Sequence, residues 1–236
     1  MNRNTLAAIF IIALITLPGC RKPPIPQTMF KGKILVDATK DGGGWWYPQS
    51  AATGFSAVAP HQGTCLATYL RDIGYQVDEL PRGNVITWSQ LKNYTKVIRA
   101  GGPDKYSAQE LIAYDSFLNR SSSLLLISEY LRDGQYDNLS EHLGLKLTGA
   151  IEGSITRFRQ HPVTLGVSSI NFIMGSAVAV TKETDNVTPL GWLSSNDAMV
   201  MGILYHPKSK IFFLGDINGI EQLPQPFVSN LVKWLY

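Results

Sequence analysis

Four polar patches follow segments that are predicted as strands. In sheets of parallel strands, ligands bind beyond the carboxyl ends of the strands, so these patches are the natural places for a site. They begin at Asp37, at the glycine pair before Pro103, at Ser128 and at Asp216. The residues that we predict to bind a ligand are Asp37, Asp41, Trp45, Trp46, Gly101, Gly102, Glu129 and Asp216.

Each patch also has a purely structural interpretation. The glycine pair can form a tight strand-to-helix turn, since glycine adopts backbone angles that other residues avoid. Glu129 can hydrogen-bond the local backbone, and Asp216 can form a turn with Asn218. The sequence leaves both interpretations open at every patch.

The segment 41–60 is rich in glycine and contains Trp45 and Trp46. Connections between a strand and a helix usually take about 2–6 residues, and longer ones are often functional. Adjacent indole rings are unfavourable in water, so they either pack onto the domain or contact a ligand. We predict that at least one of the two lines a pocket near Asp37 and Glu129.

A hydrolase would need a nucleophile beside a histidine base. The catalytic candidates are Ser128 or Glu129, paired with His206 or His161. No Gly-x-Ser-x-Gly segment surrounds Ser128, whereas such a segment holds the nucleophile of α/β-hydrolases. The sequence therefore favours a protein without catalysis and keeps hydrolysis as the alternative.

The sequence contains no motif for a metal or a cofactor. Its four histidines have neither HxxxH nor HxH spacing, and GxGxxG and Walker A segments are absent. The carboxylates that could converge on a hard cation are Asp37, Asp41, Glu129 and Asp216. We predict no metal and no cofactor.

The composition excludes several classes of protein. The 236 residues carry 21 Lys+Arg against 18 Asp+Glu, a formal net charge of +3, and 44% are hydrophobic. A disordered chain has fewer apolar residues, and a disulfide-framed miniprotein has more than two cysteines. A nucleic-acid-binding protein usually has a larger basic excess. We expect one globular domain with no nucleic-acid partner.

The N-terminal residues are typical of an export signal. The run Leu6–Leu17 is apolar apart from Thr16. Its twelve residues are too few to span about 30 Å of hydrocarbon, but this length is typical of the apolar part of a signal peptide. The following Pro18-Gly19-Cys20 resembles the end of a bacterial lipobox, in which the cysteine is lipidated; the alternatives are an ordinary signal peptide or a buried helix. Lipidation would leave Cys65 as an unpaired, buried thiol. The predicted division is a signal peptide over 1–19, the lipidated Cys20 with a proline-rich tether over 20–32, and a domain over 33–236.

Strand and helix patterns alternate through the domain, which predicts a parallel sheet covered by helices. Ser107 followed by Glu110 is the pattern of a capping box at a helix start. The predicted strands are Lys33–Ala38, Gln76–Leu80, Lys96–Ala100, Leu124–Ser128, Ala177–Thr181, Met199–Tyr205 and Lys210–Leu214. The predicted helices are His61–Ile73, one that begins after Ser107, and Phe227–Leu235, with a helix or turn over Trp88–Asn93.

Several segments carry a family resemblance. They are KILVDA with the later LATYLRDIGYQVDEL, GGPDKYSAQELIAYDSFLNRSSSLLLIS, HPVTLGV, and FLGD before the last helix. In this order they resemble the class I glutamine amidotransferase-like superfamily, closest to its non-catalytic DUF4350, ThuA-like and intraflagellar-transport-52-like groups. The resemblance covers Lys33 to Tyr236. It implies a flavodoxin-like, doubly wound, mostly parallel α/β sheet. The short spacing between the strands Met199–Tyr205 and Lys210–Leu214 additionally predicts a C-terminal antiparallel hairpin.

The resemblance does not extend to the glutaminase chemistry. Ser128-Glu129-Tyr130 occupies the turn where a glutaminase has its cysteine, and Lys208 replaces the glutamate that would orient His206. We therefore predict an envelope lipoprotein whose non-catalytic domain binds a small ligand, glycan or protein partner. Its membrane contact would be the lipid on Cys20, in the outer membrane facing the periplasm if the cell is Gram-negative. The alternatives are an envelope hydrolase and a purely structural subunit of an envelope complex.

Overall fold

The computed structural model describes residues 30–40, 62–99, 101, 105–132, 135–181, 186–195, 197–217, 220 and 225–236. The helices are α1 Thr64–Asp72, α2 Trp88–Leu91, α3 Ala108–Leu118, α4 Asn138–His142 and α5 Gln225–Leu235, with a 3-10 turn over Pro162–Thr164. The strands are β1 Gly32–Asp37, β2 Tyr75–Leu80, β3 Lys96–Arg99, β4 Ser122–Ile127, β5 Leu145–Phe158, β6 Ile170–Val180, β7 Val187–Leu193, β8 Met199–His206 and β9 Ser209–Leu214.

One nine-stranded sheet, in the order β2-β1-β3-β4-β9-β8-β7-β5-β6, joins all these strands. The first five of that order are parallel, and they have the 2-1-3-4-5 arrangement of flavodoxin-like sheets. The remaining pairings are antiparallel. The predicted flavodoxin-like fold class is confirmed, and so is the hairpin that β8 and β9 form.

Buried side chains cover both faces of the sheet. In β1, Ile34 and Val36 belong to one hydrophobic cluster while Leu35 belongs to the other, because successive side chains of a strand point to opposite faces. Helices α1 and α5 pack into the first cluster, and α2, α3 and α4 pack into the second. Helices on both faces explain why the central parallel strands β1, β3, β4 and β9 are mostly apolar, whereas the edge strand β2 is not.

Local sequence signals set where the helices begin. Ser107 Oγ accepts the Glu110 amide, and the Glu110 carboxylate accepts the Ser107 amide, which is the predicted capping box of α3. Asp137 caps α4 by accepting the Ser140 amide. These caps satisfy amides that have no partner inside their helices.

The antiparallel half is larger than the predicted hairpin. Strand β5 has 14 residues, yet Gly149 and Gly153 interrupt its pattern with positive φ angles of 76° and 147°. The pairing with β6 shifts register between Thr148 and Gly153. Glycine and bulges bend a strand at the cost of a regular alternation. The sequence of β5 therefore lacks the regular alternation from which a strand is predicted.

Two observations concern the predicted anchor and thiol. None of the helices within the described ranges is long and apolar enough to cross a membrane. Cys65 is half-buried on α1 and disulfide-bonded, with its partner outside the described residues. The prediction of an unpaired, buried Cys65 thiol is therefore wrong for this structure. Cys20 itself lies outside the described residues.

Candidate functional site

The carboxyl ends of four parallel strands meet at one edge of the sheet, which we call the carboxyl edge. Asp37 ends β1 and is paired in register with Arg99, which ends β3. Ser128 follows β4, and Asp216 lies two residues beyond the end of β9. The four predicted patches are thus brought to one edge through Asp37, Gly101, Ser128 and Asp216, because the strands that carry them run in the same direction.

Asp37 is fully buried and accepts four hydrogen bonds. Its Oδ1 accepts the backbone amide of Thr39 at 3.0 Å and the Thr39 hydroxyl at 2.7 Å. Its Oδ2 accepts the hydroxyls of Tyr106 at 2.9 Å and Tyr114 at 2.6 Å. A carboxylate offers about four acceptor positions, so this side chain is saturated by the protein itself. Asp37 therefore orders the edge and is not available as a cation ligand.

Arg99 is the centre of the same network and is also fully buried. Its Nε donates to the Tyr106 hydroxyl at 3.3 Å. Its Nη1 donates to the Ile127 carbonyl at 3.2 Å and to Asp137 Oδ2 at 2.5 Å. The remaining nitrogen, Nη2, is buried and has no hydrogen-bond partner among the residues that the structure describes.

Burial and the neighbouring charges keep Tyr106, Tyr114 and Arg99 protonated. Burial, and then the charge of Asp37, raise the pKa values of Tyr106 and Tyr114 well above the usual value. Burial lowers the pKa of Arg99, but the charges of Asp137 and Tyr106 and their hydrogen bonds together outweigh it, and the net direction is upward. At neutral pH the network therefore contains two phenols that donate and one guanidinium that stays charged.

Lys40 and Glu110 form an ion pair at the rim of the network. Lys40 Nζ lies 3.2 Å from Glu110 Oε1 and 5.5 Å from the centre of the Tyr106 ring. Glu110 also accepts the amides of Ile86 and Ser107. Its burial raises the pKa, yet these hydrogen bonds prevail and the net pKa is lowered. Glu110 thus stays ionised beside Tyr106.

Gly101 packs against the chain that leaves β4. A Cβ atom built on it would lie 2.8 Å from the Ile127 carbonyl oxygen and 2.8 Å from Ser128 Cα. Both are backbone atoms that cannot swing away, so this position requires glycine for close approach. The tight-turn interpretation accounts for Gly101, whereas Gly102 lies outside the described residues.

Ser128 and Glu129 are held by the backbone around them. The Ser128 amide donates to the Leu214 carbonyl at 2.9 Å, and its hydroxyl donates to Asp137 Oδ2 at 3.4 Å. Glu129 Oε1 accepts the Tyr130 amide at 2.8 Å, and the Glu129 carbonyl accepts the Ser176 hydroxyl. The local hydrogen-bonding interpretation of Glu129 is thus seen directly.

Asp216 fastens β6 across the end of β9. Its Oδ2 accepts the Ile173 amide at 2.7 Å, and the Ser176 amide donates to the Gly215 carbonyl. A Cβ at Gly175 would overlap that carbonyl, so glycine is needed where the two segments cross. Asp216 is fully buried and has a structural role here.

The two histidines proposed as bases lie at the opposite, amino edge of the sheet. His206 pairs with Ser209, which pairs with Ser122 at the start of β4, and Ser128 follows the end of that strand. Six residues of strand separate Ser122 from Ser128, about 20 Å. Hydrogen-bonding distance between Ser128 and His206 is therefore excluded.

His161 is also on the far side of the domain. Its ring makes an edge-to-face contact with Trp234, with 5.6 Å between centroids, and the adjacent Leu235 carbonyl accepts the hydroxyl of Ser123 near the start of β4. Burial lowers the pKa of His161. Neither His161 nor His206 can activate Ser128.

Sequence reasoning missed Arg99, Asp137, Tyr106 and Tyr114. Arg99 ends an apolar strand, KVIRA, just as Asp37 ends KILVDA, so the same signal was present at both positions. Of the predicted residues, Asp41, Trp45, Trp46 and Gly102 lie outside the described residues. Within the described part of the chain, no group of three or more potential metal ligands is found.

The comparisons with known proteins show the fold. No family model and no curated protein matches the chain. The mmIFT52 N-terminal domain aligns with a TM-score of 0.61 at 14% identity, over 86% of this chain and 96% of that domain. A ThuA-like protein from Bacteroides uniformis aligns with a TM-score of 0.58 at 11% identity, over 91% of this chain and 95% of that one.

A Thermoplasma acidophilum protein described as part of a GMP synthase is a more distant neighbour. Its TM-score is 0.50 at 15% identity, over 86% of this chain and 94% of that one. ThuA-like and amidotransferase-like folds are therefore confirmed as the structural relatives of this domain. At such low identities the similarity establishes the shared fold alone.

Proposed function

We propose that this chain is a membrane-anchored envelope lipoprotein whose amidotransferase-like domain binds a ligand or partner without catalysis. The observation that supports it most is the state of the glutaminase nucleophile position. Ser128 and Glu129 occupy that turn; the Ser128 hydroxyl donates to Asp137 Oδ2, and Glu129 Oε1 accepts the Tyr130 amide. A nucleophile needs a base within hydrogen-bond reach. His161 and His206 are at the other edge of the sheet.

The carboxyl edge also offers a donor to a ligand. Arg99 is fixed by Tyr106, Ile127 and Asp137, and its buried Nη2 is without a partner in the described residues. A buried donor that no protein group satisfies is costly, and a ligand carbonyl or carboxylate would satisfy it. We place the proposed ligand at this edge and propose that Trp45 and Trp46, which lie outside the described residues, contact it.

The anchor rests on the sequence of the N-terminal segment. A lipid on Cys20 and the proline-rich tether would hold the domain at the surface of a membrane. Since the chain has only two cysteines, a disulfide within the chain and this lipid would compete for the Cys20 sulfur. The two states have different masses, which makes the anchor directly testable.

The binding proposal can be tested with native mass spectrometry of the full chain, extracted with its own envelope. We expect an adduct that is lost in a Trp45→Ala/Trp46→Ala double variant, while the melting temperature stays nearly unchanged. Trp88→Ala is the matched control, because Trp88 is 41% exposed and its ring faces Arg120 away from the carboxyl edge. A large stability loss without an effect on the adduct would mean that Trp45 and Trp46 are core residues.

The hydrolase alternative has its own readout. Glutamate release from glutamine, and release of acetate from a simple acetyl ester, would be measured with the full chain and its Ser128→Ala variant. We expect neither product above the rate without protein. Release that disappears in Ser128→Ala would refute the non-catalytic proposal.

A further inference from the structure

A cavity lies at the amino edge of the sheet, far from the site described above. Its volume is about 340 Å³, and its lining includes Lys96, Lys208 and Lys210 together with Ser121 and Ser123. Ligand sites in proteins usually measure about 300–1,000 Å³, so this cavity is suited to a small ligand. Neither the proposed function nor the family resemblance uses it.

The sheet topology explains why three lysines converge there. Strands β3, β4 and β9 are parallel neighbours, so their first residues lie at the same edge, and Lys96 is in register with Ser123. Lys208 lies in the tight turn between β8 and β9, and Lys210 follows at the start of β9. Residues far apart in sequence therefore form one wall.

The cavity carries three lysines whose positive charge no Asp or Glu side chain of its lining neutralises. Its lining contains no Asp or Glu, and no ion pair among the described residues uses Lys96, Lys208 or Lys210. Three ammonium groups at one cavity repel each other, and an anion bound between them would remove that repulsion.

The lysines are partly ordered before any ligand arrives. Lys210 Nζ donates to the Trp234 carbonyl at 3.3 Å and lies 5.3 Å from the centre of the Trp234 ring. Lys96 Nζ donates to Thr95 Oγ1 at 3.4 Å and lies 5.8 Å from the Tyr75 ring. An ammonium has three donors, so each keeps donors for a ligand. Because these lysine side chains are already ordered, binding a ligand costs less conformational entropy.

The geometry points to a binding site for a phosphorylated small molecule at this amino edge. A phosphate group concentrates two negative charges on a compact set of acceptor oxygens, and lysine binds phosphate as a point charge. The neighbouring Ser121 and Ser123 hydroxyls add hydrogen-bonding groups at the same wall. The ligand is either a soluble phosphorylated molecule or the phosphate headgroup of a lipid.

The test is isothermal titration of inorganic pyrophosphate into the full chain in detergent. We expect Lys208→Gln to weaken binding about tenfold, as loss of a charge-assisted hydrogen bond does. Lys146→Gln is the matched control, because Lys146 is an exposed lysine on β5, outside the cavity. Circular dichroism checks that both variants fold.

The outcomes separate clearly. Absence of pyrophosphate binding would overturn the proposed site. Equal weakening of binding by Lys208→Gln and Lys146→Gln would also overturn it, because pyrophosphate would then be attracted by the general positive charge of the protein. Titration of water-soluble, short-chain phosphatidic acid identifies the source. Tighter binding than pyrophosphate supports a lipid headgroup, and weaker binding supports a soluble phosphorylated molecule. The result is independent of the ligand proposed at the carboxyl edge.

Discussion

Replacing Arg99 with Met tests the buried network most sharply. The substitution keeps an unbranched, apolar chain of similar shape but removes the guanidinium. Asp137, whose side chain is 2% exposed, would then lose its ion pair in the interior. Removing one partner of a buried pair costs about 3–5 kcal/mol, because the other charge is left uncompensated. We therefore expect the free energy of unfolding to fall by about this amount.

Arg157→Met is the matched control for this experiment. Arg157 also pairs with an aspartate, Asp197, but the two side chains are 52% and 72% exposed. Exposed ion pairs contribute about 0–1 kcal/mol, so the control should change stability little. Both variants lose one arginine and one ion pair with an aspartate, and the pair is buried in one case and exposed in the other.

The assay is urea unfolding of the full chain at neutral pH, followed by circular dichroism. A double variant, Arg99→Met/Asp137→Asn, should recover part of the loss, since it removes the unpaired charge and asparagine still caps α4. If Arg99→Met alone does not fold, this double variant and Asp137→Asn supply the comparison. A loss in Arg99→Met no larger than that in Arg157→Met would refute the buried ion pair.

Two further predictions concern Glu110 and Gly101. The pKa of Glu110 is lowered below its ordinary 4.5, so the ionised carboxylate stabilises the fold. This contribution to stability is fully present above pH 4.5 and is lost as the pH falls through the lowered pKa. The stability difference between wild type and Glu110→Gln, measured by urea unfolding, should therefore shrink on acidification; a difference that grows would contradict this sign. Gly101→Ala should destabilise by about 1–3 kcal/mol, as overpacking does, because its Cβ would meet backbone atoms of Ile127 and Ser128. An unchanged melting temperature in this variant would mean that Gly101 is not closely packed.

The central parallel strands β1, β3, β4 and β9 were predictable because most of their residues are buried on both faces of the sheet. KILVDA and LLLIS contain short, continuous apolar runs, which are typical of strands covered by helices on both sides. The start of α3 was predictable because its capping box depends only on Ser107 and Glu110, three residues apart. By contrast, β5 has exposed residues and two bending glycines, so neither alternation nor continuity revealed it.

The candidate site was predictable only in its position. Strand ends identified Asp37, Ser128 and Asp216, but not the hydrogen-bond partners that determine what each can do. Tyr106 and Tyr114 reach Asp37 across 69 and 77 residues of sequence, a contact that no local pattern encodes. The saturation of Asp37 therefore became visible only in three dimensions.

The lipid anchor on Cys20 is the central claim of the proposed function. It is tested most directly by the mass of the N-terminal peptide of the chain purified from membranes. We predict a peptide that begins at Cys20 and carries a diacylglyceryl thioether, with Cys65 recovered in a separate peptide. A single disulfide-linked species that contains both Cys20 and Cys65, or an uncleaved N-terminus, would contradict the account.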